Sequence, residues 1–83
     1  MSMQPYSIYI ERCDDRFNMA RYYAMEIAPN LFGRICLTRV WGRIGTNGRI
    51  SRHDFDDEGE AVRLFLLILY QKKRRGYRPR PRS

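Results

Sequence analysis

Between Tyr6 and Arg12 every second side chain is apolar: Tyr6, Ile8 and Ile10 fall on one side, Ser7, Tyr9 and Glu11 on the other. A period of two predicts a half-buried strand. Asp14, Asp15 and Asn18 supply turn chemistry, and alternation resumes over Arg21 to Ile27, setting Tyr23, Met25 and Ile27 against Tyr22, Ala24 and Glu26. Pro29-Asn30 closes this second strand. Arg34 to Arg43 predicts a third, rich in the β-branched and aromatic types that suit a pleated surface, with Ile35, Leu37, Arg39, Trp41 and Arg43 on one face. Asn47-Gly48 tolerates the positive φ of a hairpin connection, and Arg49 to Phe55 returns as the fourth strand.

From Asp56 the period lengthens. Asp57 and Glu60 form an acidic capping arrangement that offers an acceptor to free backbone N–H groups and complements the positive end of a helix dipole. Ala61, Leu64, Phe65 and Ile68 then recur at helical spacing, and Val62, Leu66 and Leu69 broaden the stripe, so the helix is expected to bury most of its middle. Lys72 to Arg75 suit its negative end, and Gly76 stops it. Beyond, Arg alternates with Pro, which prevents helix. The expected organisation is one domain over residues 1–77 and a basic, Pro/Arg-rich disordered tail over 78–83. The fold class is α+β: an antiparallel sheet of about four strands with one C-terminal helix across one face and the other face open.

Eighty-three residues hold one small core, and a hydrophobic fraction of 43% suits a compact globule better than a disordered chain. Cys13 and Cys36 form no C-x-x-C pair, and His53 cannot complete a zinc set with them, so neither metal nor cofactor is expected. The N-terminus lacks the basic and apolar regions of a signal peptide, which points to reduced thiols in a cytoplasmic protein. The longest apolar run, Leu64 to Tyr70, is far short of the roughly 20 residues that span a bilayer, so no membrane association is expected.

The net charge of +7 favours a polyanionic partner, and its placement says more than its size. Lys72, Lys73, Arg74, Arg75, Arg78, Arg80 and Arg82 carry the whole excess, while the remainder of the chain is neutral. Within that remainder Arg34, Arg39, Arg43, Arg49 and Arg52 occupy a window free of Asp and Glu. Trp41, the one tryptophan, shares its strand face with Arg39 and Arg43, and an interior position would bury guanidinium groups with it. An indole at the surface beside arginines, with bare backbone at Gly42 and Gly45, suits a nucleotide: the ring stacks on base or sugar while Arg forks onto phosphate. The alternative is a structural Trp whose arginines extend along the sheet to water. Beyond the helix, flexible arginines suit salt-dependent phosphate contacts. Acid–base chemistry at His53 with Asp54 or Asp56 lacks a nucleophile and a phosphate loop, so no catalytic residue and no small-molecule substrate are expected.

The segment VWGRIGTNGRI resembles the motif of the WGR domain, a Trp-Gly-Arg module found in poly(ADP-ribose) polymerases and in short bacterial proteins. The preceding strands, Phe55 before an acidic helix start, AVRLF and KKRRGY follow the family's order, so the resemblance covers roughly residues 5 to 77. It implies a sheet with one packed helix and a nucleic-acid role, with DNA ahead of RNA, in which Trp41 packs on the sugar of a terminal nucleotide and Arg43 holds geometry or phosphate. The expected binding set is Trp41, Gly42 and Arg43 on an exposed strand and hairpin, supported by Arg39, Arg49 and Arg52 and by Lys72, Lys73, Arg74 and Arg75. The alternative function is a protein-interaction adaptor using the open sheet face.

Overall fold

Strands β1 (Tyr6–Asp14), β2 (Met19–Pro29), β3 (Ile35–Arg43) and β4 (Arg49–Phe55) follow one another as an antiparallel meander, and α1 (Glu58–Arg74) crosses one face of it. The structure is a computed structural model that describes residues 6–80. A single 3₁₀ turn, Asp15–Phe17, joins β1 to β2 and ends at Asn18 in the left-handed region. The four strands and the helix agree with the α+β expectation.

A fifth strand was not expected. Arg78–Pro79 (β5) pairs antiparallel with Ile10 and Glu11 of β1, giving the sheet order β4-β3-β2-β1-β5. Proline is tolerated here because an edge strand needs no outward-facing donor. The last residues of the expected tail, 81–83, lie outside the described residues, as do residues 1–5 of the expected domain.

The core lies between sheet and helix. Register aligns Ile10 with Tyr23 and Ile27 with Leu37, so alternate residues of three strands reach the same side. Ile10, Met25, Ile27 and Leu37 are fully enclosed and meet Ala61, Phe65 and Ile68 of the helix. Burial of each large aliphatic side chain contributes about 1.5–3 kcal/mol. At the helix start Asp57 accepts a 3.1 Å bond from the Gly59 N–H, the cap foreseen from its sequence. The buried stripe is narrower than the sequence suggests. Leu66 and Leu67 remain 52% and 53% exposed beside Tyr70, because the helix touches protein on one side only.

The β3–β4 hairpin is held by two glycines in contact. A Cβ on Gly42 would lie 2.8 Å from the Gly48 Cα, so the bare backbone at Gly42 admits the returning loop of its own chain. Gly48 has φ +68, and a Cβ there would run into the Trp41 carbonyl oxygen and the Tyr22 hydroxyl. Gly48→Ala combines an unfavourable backbone conformation with overlap. It is expected to lower stability by more than about 1 kcal/mol, seen as a reduced urea midpoint with unchanged slope.

Candidate functional site

Strand register lines up three arginines. Arg12 on β1 is opposite Arg21 on β2, which is opposite Arg43 on β3. Directly opposed side chains have Cβ atoms about 4.5–5.5 Å apart, where like charges repel. The adjoining row holds Ile10, Tyr23, Trp41 and Arg49. Alternation puts both rows on the face that carries the helix, alongside the buried Leu37 and Met25. The open face is therefore not where Trp41 meets solvent; the indole sits where the helix runs out.

The way the helix ends completes the site. Gly76 adopts φ +98, its N–H donates to the Lys73 carbonyl at 3.1 Å, and the Tyr77 N–H donates to the Lys72 carbonyl at 3.0 Å. This left-handed glycine closure turns the chain back over the sheet. Tyr77 is buried as a result, its ring edge-on to Tyr23 at 6.4 Å. Lys72 Nζ stands 4.6 Å from the Tyr23 ring centroid and 5.4 Å from that of Tyr77. Partial burial pulls the Lys72 ammonium below its ordinary pKa, and the nearby charges of Arg75, Arg39 and Arg21 push the same way.

Trp41 is half-buried, its ring roughly parallel to Tyr23 with centroids 6.1 Å apart. Arg39 holds this pair from below: one Nη donates to the Tyr23 hydroxyl at 3.2 Å, the other reaches Ser51 Oγ at 3.5 Å, and Cζ lies 5.6 Å from the indole centroid. The Arg39 Nε is buried without a hydrogen-bond partner, so this guanidinium is a strut with a residual polar penalty. The expectation of an exposed Trp-Gly-Arg strand is met at Arg43 alone, because Trp41 and Gly42 are half-buried.

Between these groups lies a cavity of about 400 Å³. Its walls are Trp41, Gly42, Tyr22, Tyr23 and Tyr77, and its cations are Arg12, Arg21, Arg43, Lys72 and Arg75. Among the described residues no carboxylate lines it. The ion pairs among the described residues, Arg16–Asp14 and Arg34–Asp56, lie elsewhere. Arg43 donates to the Asn18 carbonyl at 3.2 Å, and the Arg12 side chain packs 3.6 Å from the position of a Cβ on Gly76.

Of the residues expected from sequence, Trp41, Gly42, Arg43, Lys72 and Arg75 converge here, and Arg39 supports them. Arg49 is exposed beside Trp41 in register. Arg52, opposite Thr38, is on the other sheet face, and Lys73 and Arg74 point outward, the latter 5.7 Å over Tyr70. Sequence reasoning missed Arg12, Arg21 and Tyr77. Alternation alone does not reveal the first two: only the β1–β2 register, which aligns Ile10 with Tyr23, also aligns Arg12 with Arg21. On the open face, a hollow of about 380 Å³ is lined by Ser7, Tyr9, Ala24, Glu26, Thr38 and Val40, with no cation.

The protein-family model described as the WGR domain matches residues 6–83. A relative from Sinorhizobium fredii (strain NBRC 101917 / NGR234), named uncharacterized protein y4dW, is 64% identical over 81 residues. The match covers 98% of this chain and 40% of that protein, so the chain spans well under half the length of its relative. No solved structure matches the chain significantly.

The arginine row makes a prediction about stability. Arg21→Gln removes the central charge and relieves repulsion worth about 0.2–1 kcal/mol, so the ligand-free protein is expected to melt about 1–8 °C higher in low salt. The gain should shrink as salt is added, followed by calorimetry at two ionic strengths.

Proposed function

The chain belongs to the WGR domain family, known as a nucleic-acid-binding module, and on that premise we propose that it is a non-enzymatic module binding DNA through the Trp41 cavity. The observation that carries this reading is the cavity itself: five cations around an aromatic wall, with no carboxylate lining it. Such an arrangement is unfavourable in the free protein and is relieved by a polyanion. Trp41, steadied by Tyr23 and Arg39, offers apolar surface to a sugar or base. Arg43 retains donors beyond its bond to Asn18 and forks onto phosphate. Arg49, Lys73 and Arg74 extend the positive surface, and Arg52 adds charge on the far face. A concave site walled by Tyr23, Trp41 and Tyr77 receives a strand end more readily than the middle of a duplex, which supports a preference for ends. The preference for DNA over RNA rests on the family.

A specific observation favours a second reading, a protein adaptor on the open face: the cation-free hollow beside Tyr9 and Val40. Salt separates the two, since phosphate binding weakens steeply with ionic strength and an apolar contact does not. A bacterial, cytoplasmic setting agrees with the bacterial relative and with two free thiols, Cys13 and Cys36. Among the described residues no helix is long and apolar enough to cross a membrane.

Fluorescence-polarisation titration of a blunt, 5′-phosphorylated DNA duplex tests the reading. Trp41→Ala is expected to weaken binding by about 1–3 kcal/mol. Arg43→Gln is expected to weaken it and to flatten the log K against log salt slope by about 1. Unchanged affinity in both variants, with loss in Lys73→Gln/Arg74→Gln, would reduce the interaction to diffuse attraction by the basic end of the helix.

A further inference from the structure

The density of charge in the cavity exceeds what a nucleic-acid backbone supplies at one place. Arg12, Arg21 and Arg43 occupy neighbouring positions on three adjacent strands, and Lys72 and Arg75 close over them from the helix end. A backbone phosphate carries one charge, and a terminal phosphate monoester about −1.5 to −2. Either leaves most of the five cations unmatched. A phosphoanhydride chain, by contrast, places several charges on adjacent phosphorus atoms and so spans the arginine row. Immediately beside that row stands the aromatic one, with Tyr23 and Trp41 in register and Tyr77 above them. The volume of about 400 Å³ lies within the range of roughly 300–1,000 Å³ typical of small-ligand pockets.

From this juxtaposition we infer that the cavity accepts a free nucleoside triphosphate, its phosphate chain on Arg12, Arg21 and Arg43 and its nucleoside against Trp41, in competition with nucleic acid. The inference rests on the reading of this cavity as the polyanion site and adds a soluble ligand that regulates its occupancy. Partial burial of the Lys72 ammonium, flanked by Arg75, Arg39 and Arg21, agrees with a position made for a multiply charged guest. The ligand is bound, and no bond in it is broken.

Because Trp41 is the one tryptophan, its fluorescence reports directly on the cavity. ATP, AMP, inorganic triphosphate and a blunt DNA duplex are titrated separately against the full chain, and ATP is then titrated against the duplex complex. Expected are a change in Trp41 emission with ATP, affinity for ATP about tenfold above AMP, and displacement of the duplex by ATP. Arg21→Gln, exposed in the fold, should weaken ATP about tenfold, with Arg21→Lys recovering part of the loss. Equal affinity for ATP and AMP overturns the inference. So does inorganic triphosphate binding as tightly as ATP, or ATP binding unaffected by Arg21→Gln. Duplex binding without ATP binding refutes this inference and leaves the nucleic-acid reading standing, while ATP binding without duplex binding refutes the nucleic-acid reading and the competition and leaves the nucleotide site standing.

Discussion

Core and candidate site meet in one side chain, Tyr23. Its ring is enclosed at 3% exposure, lies beside the Trp41 indole, receives the edge of Tyr77 and carries the Lys72 ammonium over its face. Its hydroxyl accepts from Arg39. An aromatic ring with a polar tip can do both things at once, filling apolar volume while ordering cations around its π-face. The hydrophobic packing that stabilises the sheet–helix contact therefore also fixes the direction of the groups at the cavity mouth. Loosening Tyr23 would disturb fold and site together.

Charge is distributed in the opposite sense to stability. Among the described residues no charged side chain is wholly interior, Arg39 being half-buried, and the two ion pairs are at the surface. Cations are instead gathered where β1, β2 and β3 run past the end of the helix, in a register that sets Arg12 beside Arg21 and Arg21 beside Arg43. The strand register gathers these cations, and an anion that enters relieves their mutual repulsion. Under the proposed function that arrangement is the polyanion site.

Much of this was readable in the residues. Period-two alternation identified four strands, and the shift to helical spacing after Asp57 identified the helix and its cap, because one-sided burial imposes a regular pattern on local sequence. Trp41 stood out as the one tryptophan, and Arg43 through the resemblance of its motif. What alternation does not encode is which face the helix covers. The Ile35, Leu37 and Trp41 series belongs to the covered face, and the indole escapes full burial only because α1 ends at Arg74. Arg12 and Arg21 were hidden for a related reason: each looks like an ordinary strand-end charge until the pairing of β1 with β2 and of β2 with β3 is known. Tyr77 lay in what reads as an approach to a solvated tail. The left-handed turn at Gly76 sends it inward, a non-local outcome of a single glycine.

The most direct test is a two-dimensional NMR titration of the isotopically labelled chain with a blunt, 5′-phosphorylated DNA duplex, following the indole N–H of Trp41. Saturable perturbation centred on that proton and on the amides of Arg12, Arg21 and Arg43 is the result the cavity predicts. Shifts confined to the outward side of the helix end, or to the open face around Tyr9 and Val40, with the indole signal unmoved, would contradict it.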